Sequence, residues 1–213
     1  MKQFINTSLN APNVLRVRVD PSITQELRSF AGLESENEEF AVVRPPWSSD
    51  VRWISPRTIN TFRFFLSIFD RLNVSGKVAP YLDLKERVMM YSGFIVSRSF
   101  CEMPDFHVDW IDTNNEAFTL LTPISTDIKG FGLVYKRLDG SIGEYEYRSD
   151  EAIIFGDKFY HSTKPAGMRA PTFLLSFTFG TDKMEHWEKI SRTAKSQGEL
   201  IRFPDGRFFV KGF

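Results

Sequence analysis

The sequence predicts a mainly β protein with flanking helices, and three observations carry that reading. From Met89 onward the hydrophobic pattern has the period of strands. Residues 93–99, 117–124, 131–137, 144–147, 152–155 and 172–179 are short runs rich in β-branched and aromatic side chains. Turn formers separate these runs at Asp112 to Asn115, Asp139-Gly140, Gly156-Asp157 and Pro165-Ala166-Gly167. Phenylalanine is abundant, 21 of 213 residues, which suits broad sheet faces packed into one core. Short strands at regular spacing imply an antiparallel sandwich or barrel, of which the jelly roll is one form.

The first third reads as largely helical. Pro21-Ser22-Ile23-Thr24-Gln25-Glu26-Leu27 opens a short helix that ends near Gly32. The acidic run 34–39 reads as a solvated loop, and Arg44-Pro45-Pro46-Trp47 breaks any regular element. Ser55-Pro56 offers an N-cap with proline at the first helical position. Behind it Ile59, Phe62, Leu66, Phe69 and Leu72 recur at helical spacing, the pattern of a helix packing one face on a core. After the strands, 183–195 reads as a helix. Residues 200–203 and 207–210, joined by Pro204-Asp205-Gly206, read as a hairpin. The expected organisation is one domain over 1–213: mostly helical support over 1–88, a β-core over 89–182, and a C-terminal helix and hairpin over 183–213. A chain of this length supports one substantial core more readily than two.

Composition narrows the function classes. Lys plus Arg and Asp plus Glu are 27 each, so the formal net charge is zero, and no Lys/Arg block is present. A nucleic-acid partner, whose phosphates call for a basic patch, is not expected. Cys101 is the only cysteine, so an intrachain disulfide is excluded. No stretch approaches a membrane span. A cytoplasmic, reducing location fits these features.

The chemistry concentrates in Asp105-Phe106-His107-Val108-Asp109-Trp110, with a second histidine, His161, about fifty residues on, and Arg169 after it. On a strand, residues i and i+2 share a face, so His107 and Asp109 can hold one cation from one side. A third ligand from a neighbouring strand completes a 2-His-1-carboxylate set, which leaves positions open on a non-heme Fe(II). Each residue alone also fits a structural role, a hydrogen-bonded histidine or a turn-forming aspartate. Arg169 adds to the pattern, because an arginine fork near an open metal site binds a carboxylate in two-pronged fashion.

From about Tyr91 to Gly180 the chain resembles the Fe(II)/2-oxoglutarate-dependent oxygenases. The matching residues are His107-Val108-Asp109, the strand Ala117-Phe118-Thr119-Leu120-Leu121-Thr122, the strand Gly130-Phe131-Gly132-Leu133-Val134-Tyr135, the run from Asp150 to Asp157, and the segment from His161 to Arg169. The resemblance implies a double-stranded β-helix (jelly-roll, cupin-like) core, with Fe(II), 2-oxoglutarate and O2 as cofactor and cosubstrates. It implies that His107, Asp109 and His161 bind the metal and that Arg169 pairs with the far carboxylate of 2-oxoglutarate. Thr119 falls where related enzymes place a hydroxyl against the cosubstrate, and it also fits as a β-favouring strand residue. Lys164 is the alternative cation, lying closer to His161. Pro171, just past Arg169, interrupts a sheet ladder unless it sits at an edge or bulge. The implied reaction is oxidation of a C–H bond with release of succinate and CO2, and the retained carboxylate at Asp109 favours hydroxylation, desaturation or ring closure over halide transfer.

Three further residues are candidates for the substrate pocket: Arg98 for a substrate carboxylate or a cosubstrate oxygen, and Trp110 and Phe118 as walls. All three equally fit structural roles. His186, beside Trp187, reads as a surface or packing histidine, and Cys101 as a buried thiol. The expected substrate is a small molecule such as an amino acid or a biosynthetic intermediate, with a protein side chain as the alternative. A second class of reading is a cupin-type metal isomerase or a non-catalytic jelly-roll binding protein, since fold does not fix function. A cupin enzyme would usually supply further histidines near the first pair, and only His186 is left over.

Overall fold

The computed structural model describes residues 3–33, 35–45, 48 and 50–211, and for residues 168–170 the backbone alone. Part of the acidic run and part of the Arg44-Pro45-Pro46-Trp47 breaker thus lie outside the described residues. The chain begins with β1 (Ile5–Asn6), β2 (Ala11–Pro12) and β3 (Val14–Arg18), followed by α1 (Pro21–Gln25) and α2 (Arg28–Ala31). Next come β4 (Phe40–Val43), β5 (Arg52–Pro56), α3 (Ile59–Arg71), α4 (Ser75–Val78) and a 3-10 turn at Ala79–Tyr81. The β-rich half holds β6 (Met89–Cys101), β7 (Ala117–Pro123), β8 (Gly132–Lys136), β9 (Ile142–Glu146), β10 (Glu151–Phe155), β11 (His161–Thr163) and β12 (Ala166–Gly180). A 3-10 turn at Met184–His186 leads into α5 (Trp187–Gln197) and the hairpin of β13 (Leu200–Arg202) and β14 (Phe208–Val210).

The strands form a large sheet in the order β3-β10-β7-β12-β6-β5-β4 and a small one in the order β11-β8-β9. Neighbours in both pair antiparallel. The antiparallel two-sheet arrangement is what the strand periodicity implies, and it takes the jelly-roll form that the resemblance implies. The long pairing of β12 with β6 spans both strands, with a register shift between Gly167 and Thr172. Pro171 lies in that irregularity, where its missing N–H interrupts no ladder bond.

The N-terminal third is corrected from largely helical to mixed. β3, β4 and β5 all join the large sheet, at its two ends. The alternation in Val14-Leu15-Arg16-Val17-Arg18 is a period-2 signal, and its full register with β10 (Val14 opposite Phe155, Arg18 opposite Glu151) puts it to use. Ser55 and Pro56 do not open a helix. They finish β5, opposite Ala41 and Phe40, and the Ser55 hydroxyl accepts a bond from the Glu199 amide at 3.0 Å. The helix starts after Thr58, whose Oγ1 accepts from the Thr61 amide at 3.1 Å. Strand pairing outcompeted a local capping signal there.

α3 packs on the large sheet through Phe62, Phe65, Ile68, Phe69 and Leu72, all buried. Ile59, at the expected helical spacing, is instead 46% exposed. The rings of Phe65 and Phe69 meet Phe177 of β12 edge-on, with centroids 6.3 and 5.3 Å away. Phe177 is fully buried at this junction. Phe177→Ala is expected to cost about 3–5 kcal/mol, read from equilibrium urea unfolding. A cost below about 1 kcal/mol would mean that the helix does not depend on this face.

Candidate metal centre

His107 and His161 form an isolated antiparallel bridge, each backbone N–H donating to the other's carbonyl at 3.0 Å. Residues directly opposite in such a pair project to one face, so the two imidazoles emerge together, with ring centroids 4.8 Å apart. Asp109, two residues past His107, brings its carboxylate alongside. Its Oδ1 lies 3.6 Å from His107 Nε2 and 3.8 Å from His161 Nε2. The donor atoms of the three residues all lie within 4.8 Å of one another.

Second contacts fix these donors. His107 Nδ1 lies 2.7 Å from the Asp105 carbonyl and His161 Nδ1 lies 3.0 Å from the Phe159 carbonyl. A carbonyl only accepts, so each Nδ1 carries the proton and each Nε2 turns its lone pair toward the centre. Asp109 Oδ2 accepts from Thr119 Oγ1 at 2.8 Å, and Trp110 Nε1 donates to the same hydroxyl at 3.1 Å. From α5, Thr193 Oγ1 donates to the Asp109 carbonyl at 2.6 Å. His161 is buried against the rings of Phe155 and Phe159, while the His107 side chain is half exposed. Burial, foremost, pushes the His161 pKa below the usual histidine range. Asp109 opposes that shift and His107 adds to it. His161 is therefore neutral at neutral pH, the form that ligates.

These donors suit an octahedral cation. Adjacent ligands at ~2.1 Å from such an ion lie about 3 Å apart, so the triangle closes on a metal by shifts of less than about 1 Å. The half-exposed His107 has room to make them. A structural zinc site would be closed by a fourth protein ligand, often sulfur. Cys101, the only thiol, is instead directed at the carbonyls of Met103 and Thr163, at 3.4 and 3.5 Å.

The triad opens into a cavity of about 540 Å³. Trp53, Phe94 and Phe155 are among its apolar walls, and Arg98, Tyr147 and Thr172 among its polar ones. Thr119 lines it as well, but its hydroxyl is directed at Asp109, so its visible work is to orient a donor. Arg98 projects into the cavity and donates from NH1 to Thr163 Oγ1 at 2.7 Å. The two expected aromatic walls are elsewhere. Phe118 alternates with Thr119 along β7 and therefore points to the opposite face, where it is fully buried near Phe4 and Phe179. Trp110 is buried in the cluster with Tyr91 and Trp187 and reaches the site only through its N–H to Thr119.

Arg169 lies on β12 within the irregular stretch, and its side chain falls outside the described residues. Lys164 points away from the centre, its ammonium 2.6 Å from Glu144 and 3.3 Å from Glu146. His186 belongs to a second group with Asp83 and Glu185. There the Lys183 ammonium already sits 2.6 Å from Asp83, supplying the positive charge a cation would bring. Tyr147, Thr172 and the α5 residues Thr193 and Gln197 were not singled out from the sequence. They reach the cavity from separate elements, and no local spacing marks them.

No protein-family model and no curated protein matches the sequence. Solved structures do match in fold. An oxidoreductase of the 2OG-Fe(II) oxygenase family from Burkholderia pseudomallei aligns with a TM-score of 0.58 at 8% identity, over 79% of this chain and 85% of that one. HygX from Streptomyces hygroscopicus, with nickel, 2-oxoglutarate and hygromycin B bound, aligns at 0.56 and 13% identity, over 83% and 88%. The non-heme alpha-ketoglutarate-dependent epimerase SnoN from nogalamycin biosynthesis aligns at 0.56 and 10%, over 80% and 78%. The fold is that of the Fe/2-oxoglutarate-dependent oxygenases. Among the described residues no helix is long and apolar enough to cross a membrane.

Proposed function

We propose that the chain is an Fe(II)- and 2-oxoglutarate-dependent oxygenase that hydroxylates a C–H bond of a small molecule. The observation that carries this reading is the convergence of His107 Nε2, Asp109 Oδ1 and His161 Nε2 at the wall of a jelly-roll cavity. Two imidazoles and one carboxylate suit Fe(II) with positions left open. When bound, Fe(II) and 2-oxoglutarate supply the activation of O2 and the two-electron oxidation of substrate, leaving succinate and CO2. The protein's own residues do the rest. The carbonyls of Asp105 and Phe159 hold the histidine tautomers, Thr119 and Thr193 hold Asp109, and Arg169 takes the far carboxylate of 2-oxoglutarate. The apolar walls at Trp53, Phe94 and Phe155 exclude water and seat the substrate. The cavity volume is that of sites for drug-sized ligands. Structural neighbours hold small molecules on the same fold, hygromycin B in HygX and nogalamycin RO in SnoN.

The test is anaerobic addition of Fe(II) and 2-oxoglutarate to the full chain, with the visible spectrum recorded. Chelation of the metal by the keto acid is expected to produce a charge-transfer band, and no band would sink the reading. Thr119→Val, which removes the bond to Asp109, is expected to weaken metal binding by about 10–100-fold. It also leaves the Trp110 N–H without its acceptor, so Thr119→Ser should restore both properties.

A further inference from the structure

A second cavity, of about 520 Å³, shares no lining residue with the metal cavity. Three segments enclose it: Lys85, Glu86, Arg87 and Met89 at the entry to β6, Asp182 to Glu185 after β12, and Arg202 with Pro204, Asp205 and Gly206 in the C-terminal hairpin. Asp182 shapes one wall. Its carboxylate accepts the amides of Lys85, Glu86 and Arg87 at 2.7, 2.7 and 3.0 Å, which fixes the backbone that carries Arg87.

Two guanidiniums meet at this cavity. On β13, Ile201 turns into the core and is fully buried, so its neighbour Arg202 faces the other way. Arg202 is half-buried, and its Nε is shut off from water with no hydrogen-bond partner among the described residues. Arg87 is exposed on the opposite wall. Burial first, then the charge of Arg87, draws the Arg202 pKa below the usual arginine range. A guanidinium nonetheless keeps its proton, so two like charges stand at one cavity.

The surrounding charges are engaged elsewhere. The Lys183 ammonium lies 2.6 Å from Asp83, and Arg207 holds Asp205 at 2.7 Å. Glu185 is 3.5 Å from His186, and Asp182 is taken by the three amides. Exposed Lys85 and Glu86 offset one another in charge. None of these carboxylates reaches Arg202 Nε. A buried N–H of a charged group without an acceptor costs free energy, and so does the repulsion between the two arginines. One anion between them removes both costs. A carboxylate is satisfied by a single fork, whereas a phosphate offers oxygens and charge enough for two.

We propose that Arg87 and Arg202 form an oxyanion site of the phosphate class, apart from the metal centre, which ties the C-terminal hairpin to the entry of β6. The ligand is inorganic phosphate or the phosphate group of a small organic phosphate. Met184 and Pro204, on the same cavity, offer apolar surface to the organic part in the second case. The site is independent of the oxygenase reading, and either stands if the other fails.

The test is thermal unfolding of the full, metal-free chain in inorganic phosphate and in chloride at equal ionic strength, with phosphate affinity measured by calorimetry. Phosphate is expected to raise the Tm of the wild type above its value in chloride. Arg202→Met and Arg87→Met are each expected to weaken phosphate binding by about 10-fold or more and to remove the phosphate-specific rise. Arg192→Met, which deletes an exposed cation of α5 away from this cavity, should keep both. Phenyl phosphate binding more tightly than inorganic phosphate assigns the site to an organic phosphate, and equal or weaker binding assigns it to the free ion. No phosphate-specific rise in the wild type overturns the site, as does a rise of equal size in Arg87→Met. Arg87 is exposed on a loop, so that variant decides the matter should Arg202→Met fail to fold.

Discussion

His161→Ala is expected to lower Fe(II) affinity by more than about 100-fold and to abolish the 2-oxoglutarate charge-transfer band. Two donors, one of them the half-exposed His107, leave too little of the cage to order the ion. The same replacement should destabilise the fold, because it empties a buried space between the rings of Phe155 and Phe159. His107→Ala separates the two effects. It removes a donor of the same kind from a half-exposed position, so the band should vanish with little change in Tm. A wild-type band in His161→Ala would remove that residue from the ligand set.

The histidine also imposes a pH dependence on the metal-free protein. With its folded pKa held down by burial, His161 stays neutral in the native state while the unfolded chain takes up a proton near the usual value of 6.5. The unfolded state then binds more protons, so stability is full above that value and falls as pH drops below it. Chemical denaturation between pH 8 and about pH 5 should show this slope in the wild type and a shallower one in His161→Ala.

Gly180→Ala is expected to cost about 3 kcal/mol or more, and the chain is expected to accumulate poorly when expressed. A Cβ at Gly180 would lie 2.1 Å from the Glu116 carbonyl oxygen and 2.8 Å from the Ala117 Cα. Both are backbone atoms, which cannot rotate aside. Nor can the strands part readily. Gly180 is paired with Met89 on one side and Ala117 on the other, and the next amide, Thr181, donates to the same Glu116 carbonyl at 3.0 Å. Gly76→Ala in α4, where a Cβ meets nothing within 4 Å, is the control and should be neutral or stabilising by up to about 1 kcal/mol. Equilibrium urea unfolding of the two variants reads the contrast, and similar values for both would mean that β12 and β7 pack less closely at Gly180 than the backbone indicates.

Much of the architecture was legible because its signals are local. Alternating β-branched and aromatic runs mark β6 to β10 within a few residues of their ends and the C-terminal end of β12, whose start at Ala166 reads as a turn, and Asp139-Gly140 marks a turn whose glycine takes a φ of 82°. The N-terminal strands were harder to read. Val14 to Arg18 is short, and its partner β10 lies over a hundred residues away, so its state was decided by a pairing no window of sequence contains. Ser55-Pro56 shows the same conflict, with a sound capping signal overridden by sheet register.

The candidate site divides along the same line. The i, i+2 spacing of His107 and Asp109 is a property of the chain itself, but no strand carries the pair: His107 makes an isolated bridge to His161 and Asp109 lies in a bend beyond it, so the fold and not strand alternation brings the carboxylate alongside. On β7, strand alternation makes Phe118 and Thr119 face opposite ways, and which of them meets the cavity depends on which face of β7 the sheets enclose. That His161 stands directly across from His107, that Thr119 braces Asp109, and that Arg98 reaches Thr163 were decided only by the folded structure. Local alternation is set by the covalent backbone, whereas cross-strand register is set by the packing of two sheets around one core.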